Sequence, residues 1–477
     1  MKKKLVVVVA VLLLLVGLVA VTSFIVFNQK NESKSFYVGV TYCGSSVQEA
    51  KELVDRVKNY TNLFVLQSGS LLDNTVAMEE IGAYVVAQNL SYAISGSTSD
   101  LLRLNQQQLS IWLIEAKERW GEQFIGTYYN DQPGGKMLDD AITLKKDAQK
   151  IDKTTLHQTI SKFDSRSIAT NTENGSAIYG NNGEISLMYF RSDPEQRYPV
   201  SINYYPNGSI ILKEVTLRSD NLYTAENITK YDRSIPSYEE LMAQNPIQNC
   251  DDAANAFVDM HNELFAGIDK KQLNKNDLLV FTADYGLYWW DYKGGYDVVL
   301  AELAWNHSDA QHIGLVRGAA NLQDKSWGTI LTWKYTHSPY LVDGAEMFEQ
   351  LNLSYEAGAE YVIIFNYSDD PTNPNILQEE HFEALERFWN EVVQNPEIIH
   401  GGIPAEAVLV LPNNYGWGMR NPNDNIWGLW DADDTCQQIW HQMQTRLNQY
   451  GTKLDIVYDD PHYPIANRYP NIYYWNE

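Results

Sequence analysis

Three acidic residues have the type and spacing needed for acid–base chemistry. Asp131, Asp284 and Glu302 stand at or beside the ends of the apolar runs "FIGTYYN", "DLLVFTAD" and "VVLAEL", which have the composition of β-strands. If these strands are parallel in one barrel, their carboxyl ends converge on one mouth. Two carboxyl groups in different protonation states are what hydrolysis of a glycosidic bond requires. Glu302 is the leading candidate, because an acid within an apolar strand is costly unless it is paired or functional.

The surroundings of these acids suggest a division of roles. Lys334 beside Glu302 would keep that carboxylate ionised, as suits a nucleophile or base. Asp131 lies next to tyrosines and is expected to act as the acid, with Asp284 as the alternative member of the pair. Gln132 and Lys334 would hold the substrate or a carboxylate. The structural alternatives are a simple Lys334–Glu302 ion pair and a turn-capping role for Asp131, which comes shortly before Pro-Gly-Gly.

Side chains that could bind a sugar share the same predicted strand ends. The chain has 13 Trp and 31 Tyr, and such rings stack on sugar faces in open clefts, although they fill cores more often. The candidate substrate-binding residues are Gln132, Tyr129, Trp289, Trp290, Trp305, Trp333, Lys334 and Asn366.

Repeated strand–helix units are expected to position these residues. Four such units run from "SFYVGVTYCG" to "FIGTYYNDQPGG", and four more strands run from "DLLVFTAD" to "AEYVIIFNYSDD". The spacing of roughly thirty residues in the first half is that of βα units with parallel strands. Eight strands, mostly with helices between them, predict an α/β fold of the (β/α)8 TIM-barrel type. The link "YGLYWWDYKGGY" is short for a helical crossover, so an irregular unit is expected there.

Two further segments complete the predicted organisation. Alternating runs between residues 166 and 230, with Asn-Gly at their turns, predict an antiparallel β insertion after the fourth strand. Residues 403–477 read as a small C-terminal α/β module. The predicted divisions are an N-terminal anchor (1–30), the first half of the barrel (31–140), the insertion (141–276), the second half of the barrel (277–402) and the C-terminal module (403–477).

Composition and missing motifs exclude several classes of function. The formal net charge of −25 argues against nucleic-acid binding, which needs a basic face. The sequence has no Gly-rich phosphate loop, no G-x-S-x-G elbow and no H-E-x-x-H helix. We therefore expect no cofactor and no metal, and we interpret the Asx-rich run at 421–434 as turns. Cys43, Cys250 and Cys436 form no metal motif, although one disulfide could form outside the cell.

The N-terminus favours a location at the cell membrane. Leu5 to Phe27 form an uncharged apolar run that follows three lysines, which predicts an uncleaved single-pass signal anchor with the C-terminal domain extracellular. A cleaved signal peptide is the alternative. Acceptor motifs for N-glycosylation agree with an extracytoplasmic glycoprotein; they occur at Asn31, Asn59, Asn89, Asn174, Asn207, Asn227, Asn306, Asn352 and Asn366.

Residues 36 to about 400 resemble the (β/α)8 glycoside hydrolases and the secreted proteins grouped with them. The resemblance lies in the whole pattern, including "YVGVTYCGSSVQEAKELVDRVKNYTNLFVLQSG", "ADYGLYWWDYKGGYDVVLAELAW" and "GTILTWKYTHSPYL". It implies a glycan substrate. In many such hydrolases the fourth strand ends in Asn-Glu-Pro, whose Glu is the acid/base, whereas this chain has Asp131-Gln132-Pro133. A nucleophilic Glu usually ends the seventh strand, where this chain has "TWKY".

Three functions fit these observations. The first is a membrane-anchored extracellular glycoside hydrolase. The second is a catalytically inactive barrel that binds a glycan, since Gln132 and the acid-free seventh strand depart from the hydrolase pattern. The third is a structural protein of the cell envelope.

Overall fold

The computed structural model describes residues 36–96, 106–139, 247–305, 307–368 and 375–477, together with strand segments at 146–147, 175–179, 185–192, 197–205, 210–214 and 223–228. Residues 38–477 form one compact unit. The domain boundaries predicted within that range stay predictions.

The first half of the barrel contains four parallel strands with helices between them. The strands are β1 (Tyr37–Tyr42), β2 (Leu63–Leu66), β3 (Ser91–Gly96) and β4 (Phe124–Tyr129). The helices are α1 (Val47–Val57), α2 (Gly69–Leu72), α3 (Thr75–Ala87), α4 (Gln106–Trp120) and α5 (Pro133–Asp139). All residues of β2 and β4 are buried, as expected of parallel strands covered on both faces.

The segments between residues 146 and 228 form a separate sheet. Its strands are β5 (Lys146–Asp147), β6 (Gly175–Tyr179), β7 (Ile185–Ser192), β8 (Arg197–Tyr204), β9 (Ile210–Glu214) and β10 (Tyr223–Ile228). Neighbouring strands in this sheet pair in antiparallel register. The described part of the insertion contributes no strand to the barrel.

The second half of the barrel repeats the strand–helix order. It contains α6 (Cys250–Gly267), α7 (Lys270–Lys275), β11 (Leu279–Asp284), α8 (Tyr288–Gly294), β12 (Val298–Leu303), α9 (Asp309–Leu322), β13 (Ser326–Leu331), α10 (Gly344–Ala357), β14 (Tyr361–Ile364) and α11 (Glu379–Phe388). The eight parallel strands close in the order β1-β2-β3-β4-β11-β12-β13-β14. The predicted (β/α)8 barrel is therefore confirmed, and β4 pairs directly with β11 across the insertion.

The C-terminal residues form a small α/β unit on the outside of the barrel. Strands β15 (Ala407–Leu411), β16 (Leu454–Tyr458) and β17 (Asn471–Tyr474) make a parallel sheet in the order β16-β15-β17, with α12 (Asp434–Tyr450) in the chain between β15 and β16. Arg317 of α9 donates to Asp455 of β16 over 2.7 Å, and both side chains are buried. A buried ion pair costs several kcal/mol when one partner is lost, so this contact fixes the module against α9.

The prediction of a transmembrane signal anchor needs correction. Within the described ranges, no helix is both long enough and apolar enough to cross a bilayer. The run from Leu5 to Phe27 lies outside those ranges. The expected extracellular location of the folded body stays a prediction.

The Pro-Gly-Gly sequence after β4 begins a helix, whereas the sequence predicted only a sharp turn. Pro133 is the first residue of α5, a position where its missing N–H costs nothing. A Cβ atom on Gly135 would lie 2.2 Å from the ring of Tyr285, and one on Gly134 would lie 2.5 Å from the Gly286 carbonyl oxygen. The two glycines are therefore needed because the loop after β11 packs directly against the first turn of α5.

This packing leads to a test of stability. We expect Gly135→Ala to lower the free energy of unfolding by roughly 1–3 kcal/mol, because the added methyl group overpacks the contact with Tyr285. Gly69→Ala is the matched control, since a methyl group added there would meet no atom within 4 Å. It should leave stability unchanged or raise it by roughly 0.5–1 kcal/mol. Urea unfolding measures both, and equal effects would contradict the assigned packing.

Candidate functional site

The loops after β4 and β11 meet on the carboxylate of Asp284. Its two oxygens accept backbone N–H groups from Gly134 (2.5 Å), Gly135 (2.7 Å), Tyr285 (2.7 Å) and Gly286 (3.2 Å). The side chain is fully buried, and each of these contacts is with backbone. The catalytic role predicted for Asp284 stays a prediction, and the contacts seen here give this carboxylate a structural role, since it holds two loops together.

Asp291 forms a second buried carboxyl group beside Asp284. It lies in α8 and is fully buried, and neither of its oxygens accepts a hydrogen bond from a donor group. Burial raises the pKa of both carboxyl groups, and the charge of Asp284 raises the pKa of Asp291 further. Four N–H donors favour the ionised form of Asp284, and none opposes the rise in the pKa of Asp291, so protonation of the pair is favoured on Asp291.

Glu302 is a buried acid at the end of β12. Its side chain is only 3% exposed. Its Oε1 accepts a hydrogen bond from Nε2 of Gln132 over 2.7 Å, and its Oε2 is buried without a partner. Burial, together with the negative charge of Asp131, raises the pKa of Glu302 to about 8. Glu302 is therefore mainly protonated at neutral pH and has a proton to donate.

Asp131 has the opposite environment. Its side chain is half exposed, and the ammonium group of Lys136 lies 3.2 Å from Oδ2 and 2.8 Å from its backbone carbonyl oxygen. The hydroxyl of Tyr128 donates to Oδ1 and itself accepts the N–H of Ala283. Glu302 therefore lies in a buried setting without a cation, and Asp131 lies in an exposed setting beside one, the reverse of the settings expected from the sequence.

Several residues near the mouth have left-handed backbone conformations. Asn130, Gln132, Leu287 and Trp305 all have φ between 53° and 60°, although none is glycine. Each such residue costs on the order of 1 kcal/mol or more and tends to occur where a side chain must be held in place. At Gln132 the backbone N–H donates to the carbonyl of Ala283, and the side chain is directed to Glu302.

Three aromatic residues predicted to bind substrate lie in the interior. Trp290 is fully buried and packs on Trp427 and Tyr458, with ring centroids 4.6 Å and 4.4 Å apart. Trp289 is buried against Tyr458 and Tyr463. Tyr129 is also buried, and its hydroxyl accepts from Gln106. The α8 crossover and the end of β4 place these three rings in the core and not on an open cleft.

The polar candidates at the seventh and eighth strand ends are also engaged elsewhere. Lys334 binds both carboxylate oxygens of Glu346 at 2.7 Å and 2.6 Å, so it does not pair with Glu302. Asn366 is buried, and its side chain bonds Asn375 and the backbone of Ile376 and Leu377. Its amide thus holds the start of the following segment in place.

Partly exposed rings mark the other side of the mouth. Trp305, which follows β12, is 38% exposed, and Tyr335 and Tyr367, which follow β13 and β14, are 45% and 37% exposed. Trp333 is half-buried and stacks on Tyr367, with the planes 5° apart and an indole N–H bond to the Tyr367 carbonyl. Trp305 and Trp333 were predicted. Tyr335 and Tyr367 were missed, although each closely follows a predicted strand end.

Tyr288, His307 and His312 form a second polar group. The hydroxyl of Tyr288 is 2.5 Å from Nδ1 of His312, and both side chains are buried. His307 stacks on His312, with ring centroids 5.1 Å apart. Burial, with the neighbouring charges of His307 and Arg420, lowers the pKa of His312 to about 3, so this imidazole is neutral.

No group of three or more potential metal ligands occurs in the part of the chain that the structure describes. In the Asx-rich run, Asp424 binds the guanidinium of Arg420, and Asp433 accepts the N–H groups of Thr435 and Cys436 at the start of α12. Both acids have structural partners, in agreement with the interpretation of this run as turns.

Comparisons with known proteins add little to what the strand pairing already shows about the fold. Neither protein-family models nor curated proteins match the chain. Among solved structures, a β-glucosidase in its apo form is similar with a TM-score of 0.32 and 8% identity, over 72% of this chain and 89% of that chain. The pyruvate kinase of Pyrobaculum aerophilum has a TM-score of 0.29 and 12% identity, over 89% and 97%. Likeness at this level carries no functional argument, so the TIM barrel stands on its topology.

The Asp284–Asp291 pair gives a test with an internal control. Asp291 is protonated in the folded chain but ionised when unfolded at neutral pH, so folded stability falls as pH rises above the unfolded pKa of about 4. We expect Asp291→Asn to be more stable than the wild type by roughly 1–3 kcal/mol at pH 7, with the difference vanishing near pH 4.

Asp284→Asn should behave in the opposite way. An amide presents N–H groups toward backbone N–H donors, so we expect a loss of roughly 2–4 kcal/mol at neutral pH. Urea unfolding at several pH values measures both variants. Equal destabilisation by the two substitutions would show that the proton is not held on Asp291.

Proposed function

We propose that this barrel is a glycoside hydrolase in which Glu302 is the general acid and Asp131 is the base or nucleophile. The observation that carries the proposal is the contrast between their environments at the ends of β4 and β12, the two strands that flank β11. Glu302 is buried and protonated, whereas Asp131 is half exposed beside Lys136. Hydrolysis of a glycosidic bond needs this pairing of one protonated and one ionised carboxyl group.

The contacts of Glu302 suit proton donation. Gln132 binds Oε1, and an amide N–H donor favours a carbonyl-type oxygen there, which leaves the proton on Oε2. Oε2 has no protein partner, so its proton is available to a leaving-group oxygen. In this arrangement Gln132, at the position of the acid in similar hydrolases, orients the acid and does not replace it.

The contacts of Asp131 suit a nucleophile or base. Tyr128 fixes one oxygen and Lys136 neutralises part of the charge at the other. The half-exposed carboxylate is accessible to a sugar or to a water molecule. Whether it attacks carbon or activates water determines whether the configuration is retained or inverted.

The rings around the mouth suit a neutral sugar. Trp305, Trp333, Tyr335 and Tyr367 present partly exposed faces after β12, β13 and β14, and such faces stack on the C–H faces of pyranose rings. The chain has a formal net charge of −25, which disfavours an anionic glycan. We therefore propose a neutral oligosaccharide or polysaccharide as the substrate.

An inactive glycan-binding barrel is the second candidate, and one observation favours it. Glu302 is 3% exposed, so a substrate reaches it only if neighbouring side chains move. In that case the aromatic rim, formed by Trp305, Trp333, Tyr335 and Tyr367, would bind sugar, and the two acids would only stabilise the fold. Gln132→Glu separates the two: in a working enzyme it brings two carboxyl groups together and disturbs the acid, whereas in a decayed enzyme it restores the residue of similar hydrolases and raises activity.

The first expected outcome concerns pH dependence. Because Glu302 must carry a proton and its pKa is about 8, kcat/KM on a cleaved glycan should fall as pH rises through about 8. A pH–rate profile from about 6 to 10 covers this fall. A rate that keeps rising above a pH of about 9 would be incompatible with Glu302 as the acid.

The second expected outcome concerns the separate roles of the two acids. Glu302→Gln keeps an acceptor for Gln132 but removes the proton, so activity should fall by about 10²–10⁴ on substrates with poor leaving groups and much less on activated aryl glycosides. Asp131→Asn should slow both kinds of substrate. Glu346→Gln, which alters only the ion pair with Lys334, is the control and should stay active. Losses in Glu302→Gln that do not depend on the leaving group would exclude it as the acid.

The third expected outcome concerns the aromatic rim. Trp333→Ala removes the ring that stacks on Tyr367 and should weaken binding of an oligosaccharide by about 1–3 kcal/mol, by analogy with stacked aromatic contacts. Tyr474→Ala is the control, because that ring is similarly exposed, at 42%, but lies on β17 of the C-terminal module. Calorimetric titration with oligosaccharides distinguishes them. Equal affinity in the two variants would show that the rim does not contact sugar.

A further inference from the structure

Helix α5 is held at both ends although it has only seven residues. At its start, the N–H groups of Gly134 and Gly135 bind Asp284. At its end, the carboxylate of Asp139 accepts the hydroxyl of Tyr285 over 2.7 Å and the guanidinium of Arg420 over 2.5 Å. A helix this short has little stability of its own, so these contacts determine where it lies.

The clamp at the end of α5 comes from the C-terminal module. Arg420 lies in the segment between β15 and α12, and its guanidinium also binds Asp424 with two nitrogens, at 2.7 Å and 2.8 Å. Its side chain is 17% exposed, and its charged group lies 5.8 Å from the ring centre of Tyr285. One planar guanidinium thus connects the module, α5 and the loop after β11, a geometry that lysine cannot reproduce.

Backbone packing supports the same contact. Gly428 has φ of 67°, and a Cβ atom there would lie 2.1 Å from the Met137 carbonyl oxygen. The segment that carries Arg420 therefore lies directly on the backbone of α5.

The position of α5 matters because it carries Lys136. The Lys136 ammonium binds both the carboxylate and the backbone carbonyl of Asp131, and Lys136 lies about one turn before Asp139. Release of the end of α5 would move this cation away from Asp131. Arg420 therefore acts on Asp131 through Asp139 and Lys136 without touching the mouth.

We propose that Arg420 is a positioning residue of the candidate active site and that the C-terminal module completes that site by clamping α5. The catalytic part of this proposal rests on the function proposed above. The structural part, that Arg420 and Asp139 together hold α5, stands independently and can be tested without a substrate.

The experiment is hydrogen exchange in the full chain, read at amides 134–139 of α5. We expect Arg420→Met and Asp139→Ala each to raise exchange of these amides by about tenfold or more, and the double variant to exchange no faster than Asp139→Ala, because Asp139→Ala already removes the contact with Arg420 along with that of Tyr285. Arg446→Met is the control: Arg446 also belongs to the module but stacks on Tyr473, 3.8 Å from its ring centre, and α5 should be unaffected.

A merely local role for Arg420 gives a different result. If it only held Asp424 within its own segment, Arg420→Met would loosen residues 417–426 while α5 exchanged at the wild-type rate, and the proposal would be overturned. Additive effects in the double variant would also overturn it. Should Arg420→Met fail to fold, Asp139→Ala, which keeps the Arg420–Asp424 pair, carries the same test.

Activity gives the second readout. With any glycan that the wild type cleaves, Arg420→Met should lower kcat by about tenfold or more with little change in KM, because Arg420 is remote from the aromatic rim. An unchanged kcat would show that the contact between Arg420 and α5 does not affect Asp131. If the wild type cleaves no glycan, the proposed function fails, while the exchange result still decides whether the module clamps α5.

Discussion

The candidate site depends on one buried charge, the carboxylate of Asp284. A carboxylate without partners in the interior costs many kcal/mol, and here the partners are four backbone N–H groups from two loops. To direct these groups at one side chain, the loop after β4 must turn sharply through Gln132 and start a helix at once. The glycines of α5 and the left-handed backbone at Gln132 follow from that requirement, as does the direction of the Gln132 side chain toward Glu302.

Two carboxyl groups with opposite properties arise from this arrangement. Glu302 sits within the apolar wall of the barrel, where burial favours its neutral form. Asp131 is one residue earlier than the strained Gln132, at the surface and within reach of Lys136. Two consecutive residues therefore have different surroundings: Asp131 carries a charge that faces solvent, and Gln132 contacts a buried acid. Burial is the main cause of the raised pKa of Glu302, and the charge of Asp131 adds to it.

Much of the fold was predictable because hydrophobic spacing determines it, and the acids at the strand ends were predictable for the same reason. Side-chain partners were not. Asp284 binds backbone groups about 150 residues earlier in the chain, and no sequence pattern reveals backbone donors. Lys334 finds Glu346 on the next helix, a contact set by how α10 packs. Adjacent tyrosines of a strand point in opposite directions, so Tyr128 bonds Asp131 whereas Tyr129, chosen from the sequence, bonds Gln106 of α4. Trp289 and Trp290 were predicted to line the cleft only because the short helix α8 was not predicted.

The direct pairing of Gly126 on β4 with Leu279 on β11 has a consequence for folding. Strands β1–β4 and strands β11–β14 each pair with neighbours that are close in the chain, so each half-barrel can assemble locally. Two seams then join the halves, β4 to β11 and β14 to β1, and both close long loops at an entropic cost that local pairs avoid. Asp131 belongs to one half and Glu302 to the other. The two acids therefore meet across a late-forming seam, and a small slip between the half-barrels would separate them while leaving each half intact.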